Sequence, residues 1–276
     1  MKAQIRKPFY HGSKSPHGVL GQWIISMLPW EYNSTYVEPF AGMLGVLLGR
    51  QPVRCELVND LDNNLYNWWC CVRDEPKELA RLISATPRSR KGLADAYEII
   101  DNPPPDMSPV RRALALHIVL EQGIYRRMAH KPTWNIKVNP AGMRRDLLWT
   151  GSEIYPLADR FKDVQIENRD ALEVLERVCD EPAAVVYCDP PYPTADTTPY
   201  RERKFDIERM TGILRQAKAR VAISGYGDEW DALGWSKSEN NIRTALIHHR
   251  DVRKTERIEV LWTNYEPPNQ QTTIEI

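Results

Sequence analysis

The 276-residue sequence predicts an α/β fold, a Rossmann-like sheet interrupted by an inserted helical region. Three observations point there. Short apolar runs rich in β-branched residues stop abruptly in acids or prolines, at Val37-Glu38-Pro39, Val58-Asn59-Asp60 and Val185-Val186-Tyr187-Cys188-Asp189-Pro190, as buried parallel strands do at their carboxyl ends. Helical periodicities alternate with these runs. Between about 75 and 161 the strand signals vanish, leaving helical patterns broken at Pro87 and at Asn102-Pro103-Pro104-Pro105. The expected organisation is a sheet domain built from 1–74 and 162–276, with a helical insertion over 75–161.

In chain order, Leu20, Trp23, Ile24, Met27 and Leu28 predict a first helix, preceded by Tyr10-His11-Gly12-Ser13-Lys14. The small residues before Lys14 suit a loop close to a ligand, with Tyr10 as a stacking surface; a solvated lysine is the plainer reading. Thr35 to Glu38 reads as a strand. It is followed by the glycine turn Pro39-Phe40-Ala41-Gly42 and an expected apolar helix through Leu48, the order of a first βα unit whose backbone approaches a cofactor. The dinucleotide pattern of three spaced glycines is absent, and Glu38 would repel a phosphate. A cationic cofactor fits better, and S-adenosylmethionine carries both a sulfonium and an ammonium group. Cys55 to Asp60 reads as the second strand, ending in an acid about twenty residues past the glycine turn, where a carboxylate takes ribose hydroxyls. Asp62 is the expected cap of the next helix.

Within the insertion, Leu114, Leu116, Ile118, Val119 and Ile124 predict a helix from about Pro109 to Tyr125. The stretch from Tyr125 to Arg145 then carries Arg126, Arg127, Lys131, Lys137, Arg144 and Arg145, interleaved with Tyr125, His130 and Trp134 and without an acid. The chain is otherwise neutral, with 37 basic and 37 acidic residues, so phosphate contacts have to come from this local surface if from anywhere. Basic runs are also common in plain solvated loops.

The α/β pattern resumes with a strand at Val164 to Asn168. Asp170 after it suits either an adenine amino group of the cofactor or the cap of the following helix. After the strand ending at Cys188, a polar loop from Pro193 to Lys204 contains Arg201, a further candidate for phosphate contact. A helix from Asp206, a strand at Ala219 to Ser224, and last strands at Arg243 to His248 and Ile258 to Tyr265 complete the expected sheet.

The residues Asp189-Pro190-Pro191-Tyr192 carry the chemistry. The Asp189 carboxylate and the Pro190 carbonyl can accept the two hydrogens of a planar amine while Tyr192 stacks on its ring. Acceptors out of the ring plane favour a pyramidal nitrogen and aim its lone pair at an electrophile. The same four residues serve equally as a strand-ending turn. No metal is needed for such a transfer. An activated cysteine in a Pro-Cys pair is absent, which argues against cytosine C5 chemistry.

Composition adds bounds. With 42% apolar and 27% charged residues the chain has an ordinary globular balance. Its five cysteines include an adjacent pair and no Cys-x-x-Cys, as expected of reduced thiols and a cytoplasmic location. No signal peptide or membrane span is expected.

Four stations in order, Tyr10-His11-Gly12-Ser13-Lys14, Glu38-Pro39-Phe40-Ala41-Gly42, Asn59-Asp60 and Asp189-Pro190-Pro191-Tyr192, resemble the alpha-group, Dam-like DNA adenine methyltransferases. Ile223-Ser224-Gly225-Tyr226 and Glu259 to Tyr265 are similar to the bacteriophage-type members. The resemblance implies a methyltransferase sheet with a DNA-target-recognition insertion. It implies S-adenosylmethionine contacts from Tyr10, Lys14, Asp60 and Asp189, with Glu38, Phe40, Gly42 and Asp170 nearby. It also implies an adenine flipped out of duplex DNA and held by Asp189, Pro190 and Tyr192. The first station departs from the frequent Trp-Ala-Gly-Gly-Lys, and the insertion lacks the motif of members that read GATC. Methylation of cytosine N4 or of RNA, or an inactive DNA-binding relative, are the alternatives to weigh.

Overall fold

A computed structural model describes residues 14–123, 149–191, 205–240 and 258–268. Seven strands form one sheet: β1 (Thr35–Glu38), β2 (Cys55–Asn59), β3 (Val164–Glu167), β4 (Ala184–Cys188), β5 (Arg220–Tyr226), β6 (Ser236–Asn240) and β7 (Glu259–Thr263). Their order is β3-β2-β1-β4-β5-β7-β6. The first five pair in parallel, and β7 lies antiparallel between β5 and β6. This is the doubly wound Rossmann-like sheet expected, with the strand order reversing between β1 and β4. Ligands of such sheets bind in the crevice outside the carboxyl ends at that reversal.

The period of two along each strand divides the core. Tyr36, Val58, Val185, Tyr187, Ala222 and Leu261 face one side, while Val37, Val186, Cys188, Val221, Ile223, Val260 and Trp262 face the other. Helices α7 (Ala171–Val178) and α8 (Ile207–Arg215) cover the second face. The first is covered by α1 (Val19–Met27) and α2 (Asn63–Asp74), and its core continues without a break into α3 (Pro76–Ala85), α4 (Arg90–Asp101), α5 (Pro109–Gln122) and α6 (Ile154–Phe161). Trp69 of α2 stacks on Phe161 of α6, with ring centroids 4.6 Å apart. Arg160 of α6 donates to both carboxylate oxygens of buried Glu56 on β2 and, at 3.1 Å, to the Leu47 carbonyl. The chain returning from the helical segment is thereby tied to the sheet.

Capping sets the helix starts where the sequence placed them. Asp62 accepts from the Asn64 and Leu65 N–H groups, Asp170 from Leu172, and Asp206 from Arg209.

One expectation needs correction. The apolar run after Gly42 does not form a helix; residues 42–49 are a series of turns. Gly42 at φ +50° and Leu44 at φ +55° both lie in the left-handed region, which interrupts a right-handed helix. The apolar side chains are buried all the same, with Leu44 and Leu47 nearly inaccessible. Strand β6 at Ser236–Asn240, polar and alternating in exposure, is the last of the sheet on that side among the described residues, and the strand expected at Arg243 to His248 falls outside them. A strand made of Ser, Lys, Glu and Asn has no apolar pattern to announce it.

Candidate active site

The sheet's carboxyl rim brings Glu38, Asp60 and Asp189 to the ends of β1, β2 and β4. On the β1–β2 side the side chains are held by backbone amides. Asp60 is 7% exposed; its Oδ2 accepts the Gly42 N–H at 2.8 Å and its Oδ1 the Asp62 N–H at 2.9 Å. Burial raises its pKa to about 6, with the two N–H groups opposing. The Gly42 carbonyl in turn accepts the Trp69 indole N–H at 3.0 Å. The turn is thus gripped from both sides, yet a Cβ at Gly42 would meet no atom within 4 Å, so its backbone borders open space. Three residues on, Gly45 is required for a different reason: a Cβ there would sit 1.7 Å from the Lys14 carbonyl oxygen.

Glu38 is only 2% exposed and accepts the Tyr36 hydroxyl at 2.8 Å and the Leu47 N–H. Burial pushes its pKa up to about 8 against those hydrogen bonds and the Arg50 charge. Asn59, fully buried, was not assigned a role by spacing. Its amide donates to the Pro39 carbonyl at 2.9 Å and the Arg169 carbonyl at 3.1 Å, and its oxygen accepts the Arg169 N–H at 2.9 Å. It clamps the loop ends of β1 and β3 on either side of β2. The signal was available, since an amide closing an apolar strand has to find partners.

The β4–β5–β7 side is built from side-chain charge. Lys14, 7% exposed, directs its ammonium to Asp189 Oδ1, to Ser224 Oγ on β5 at 2.9 Å and to Glu259 Oε1 on β7 at 2.8 Å. Burial alone would lower its pKa; Asp189, then Tyr187 and Glu259, outweigh this and hold it well above the ordinary lysine value. Glu259 is raised, by burial first. Ser224 also bonds Asp189 Oδ1 at 3.0 Å and the Tyr187 hydroxyl at 3.1 Å. Neither Ser224 nor Glu259 was singled out from sequence for this site.

Of the other expected site residues, Pro190 is buried directly behind Asp189 and Phe40 is half-buried beside Phe205, with centroids 5.7 Å apart. Asp170 caps α7 through Leu172 at 2.9 Å, one of its two anticipated roles. Tyr10, Tyr192 and all seven DNA-contact candidates, Arg126, Arg127, Lys131, Trp134, Lys137, Arg144 and Arg201, lie outside the described residues.

The rim's chemistry suits a small cationic cofactor with hydroxyls better than a polyphosphate. Carboxylates dominate it, and the ammonium of Lys14 has three protein acceptors for its three protons. Among the described residues no cluster of three or more His, Cys, Asp or Glu is arranged to hold a metal.

The family model for D12 class N6 adenine-specific DNA methyltransferases matches residues 10–242. The chain belongs to this family. It is accordingly an adenine-specific DNA methyltransferase, in agreement with the resemblance carried by the four sequence stations. Matching solved structures include the rRNA methyltransferase aviRa from Streptomyces viridochromogenes, at 16% identity over 89% of this chain and 82% of that one, with a TM-score of 0.31. No curated protein sequence matches the chain. Among the described residues no helix is long and apolar enough to cross a membrane.

Proposed function

We propose that this methyltransferase uses S-adenosylmethionine to methylate the exocyclic amine of an adenine turned out of duplex DNA into the crevice beside Asp189 and Pro190. The observation that carries the reading is Asp189 itself, held at the carboxyl end of the central strand by Lys14 and Ser224, across the strand-order reversal from Asp60 and the Gly42 turn. When bound, S-adenosylmethionine supplies an electrophilic methyl group on a sulfonium, so displacement by the amine needs no covalent enzyme intermediate. Asp189 accepts one N6 hydrogen and the Pro190 carbonyl the other, which directs the nitrogen lone pair out of the base plane. Asp189 is also the acceptor at hand for the proton that nitrogen sheds. Asp60 takes the ribose hydroxyls while its backbone bonds keep the Gly42 turn in place. Extrusion of the base is required because a stacked amine cannot reach a donor in the crevice. The helical segment 75–161, with its basic stretch, is the part that meets the DNA.

The test separates binding from chemistry. Asp189→Ala should lower methyl transfer by about a hundredfold to a thousandfold, read as N6-methyladenine by mass analysis of nucleosides from treated DNA. Asp60→Ala should instead weaken S-adenosylmethionine binding in calorimetry. Undiminished transfer by the Asp189 variant would remove that residue from the chemistry, and methyl groups on cytosine N4 or RNA alone would redirect the substrate.

A further inference from the structure

Two hydrogen bonds converge on a single oxygen of Asp189. Lys14 Nζ and Ser224 Oγ both reach Oδ1, the latter at 3.0 Å. A carboxylate rotates easily about its last torsion, whose preferences are broad. Two donors on one oxygen remove that freedom and set the direction in which Oδ2 points. The donors are themselves held from strands that the reading of the active site has not used. Ser224 is inaccessible on β5, with the Tyr187 hydroxyl at 3.1 Å and the Cys188 carbonyl at 3.3 Å, so its single proton can go to Asp189 while it accepts from Lys14 and Tyr187. Glu259, 3% exposed on antiparallel β7, accepts from Lys14 at 2.8 Å and is bonded by Tyr226.

We propose that Ser224 and Glu259 are positioning residues for methyl transfer: Ser224 anchors Asp189 Oδ1 directly, and Glu259 holds the Lys14 ammonium on the same oxygen. This rests on the reading of Asp189 as the acceptor for the base amine. Glu259 does more than pack. A buried ammonium facing one carboxylate is poorly compensated for its lost hydration, and a second carboxylate keeps it charged and in place. Among the described residues, the titratable groups facing Lys14 are Asp189 and Tyr187 from β4, Tyr226 from β5 and Glu259 from β7. Without Glu259, Lys14 loses its proton at lower pH and releases Asp189 Oδ1.

The experiment uses the full chain, S-adenosylmethionine as donor and genomic DNA free of N6-methyladenine, with single-turnover transfer followed by mass spectrometry across pH. S-adenosylhomocysteine binding is measured in parallel by calorimetry. Ser224→Ala and Glu259→Gln should each slow transfer about tenfold to a hundredfold, the loss typical when a group that orients a reacting residue is removed. Binding of S-adenosylhomocysteine should change by no more than about threefold. Glu259→Gln should also show a decline of transfer at alkaline pH that begins below any in the parent enzyme, while Glu259→Asp restores part of the rate. A packing defect would lower the rate evenly at every pH. Should Glu259→Gln fail to fold, Ser224→Ala decides alone. Parent-like rates in both variants beside an inactive Asp189→Asn would overturn the positioning roles and leave Asp189 in place. Parent-like transfer by Asp189→Asn would instead overturn the reading on which they depend.

Discussion

The two halves of the sheet's carboxyl rim hold their carboxylates by different means. At the ends of β1 and β2, Asp60 and Glu38 are bonded by neutral donors: the Gly42, Asp62 and Leu47 N–H groups and the Tyr36 hydroxyl. At the ends of β4, β5 and β7, Asp189 and Glu259 share the buried ammonium of Lys14. Neutral donors fix geometry over a few residues of chain but compensate lost hydration only in part, which leaves Asp60 at about 6 and Glu38 at about 8. A buried cation compensates more fully and joins segments far apart in sequence. One half is therefore a pH-sensitive clamp on a turn, the other an electrostatic link between strands.

The largest expected effect follows from the neutral half. The fold gives the Glu38 carboxyl a pKa of about 8 against an ordinary 4.5, so between those values the folded chain binds more protons than the unfolded one. The contribution of this group to the stability of the ligand-free protein is then fully present below about pH 4.5 and is lost as pH rises through 8, up to roughly 5 kcal/mol in all. Glu38→Gln removes the charge at every pH and should flatten the difference, read from urea midpoints between the two limits. Equal slopes in parent and variant would show that Glu38 titrates normally and that the contrast between the halves is mistaken.

On the ionic half, Lys14→Met should cost about 3 kcal/mol, because it takes the cation away from buried Glu259 and part-exposed Asp189. The loss should shrink when Glu259→Gln is added, since one of the stranded charges disappears. An additive pair of losses would mean that the Lys14–Glu259 contact carries no coupling. Asn59→Ala breaks three hydrogen bonds to the loops flanking β2. It should cost about 2 to 3 kcal/mol and, by loosening the Asp60 and Gly42 neighbourhood, weaken S-adenosylmethionine binding more than it slows transfer at saturating donor.

What the sequence disclosed follows the same division. Strands β1, β2, β4 and the acids closing them were legible because each is an apolar run with an abrupt end, and the caps Asp62 and Asp170 because capping is local. The turns after Gly42 were misread as helix, since a buried apolar stretch looks alike in both and nothing in Leu44 announces φ +55°. The ionic half stayed out of sight. Lys14 and Ser224 are 210 residues apart, and no spacing rule pairs residues whose only link is the order of strands in a sheet. Glu38 was read as lying near a cofactor, and its burial and its bonds to the Tyr36 hydroxyl and the Leu47 N–H were not legible from spacing.

The smallest expected effect tests where the neutral half ends. Asp170 accepts the Leu172 N–H at 2.9 Å and so caps α7, but it stands at the carboxyl side of β3, on the same rim as Asp60. Asp170→Ala should cost about 1 kcal/mol if capping is its whole contribution. Asp170→Asn and Asp170→Ser retain a capping oxygen and should recover most of that stability. S-adenosylmethionine affinity then separates the two roles. If the capping variants bind the donor as the parent does, the cofactor-facing rim stops at β2 and Asp170 belongs to the scaffold. If Asp170→Ser restores stability while affinity stays reduced, the carboxylate itself meets the adenine ring, and the neutral half of the rim extends one strand further.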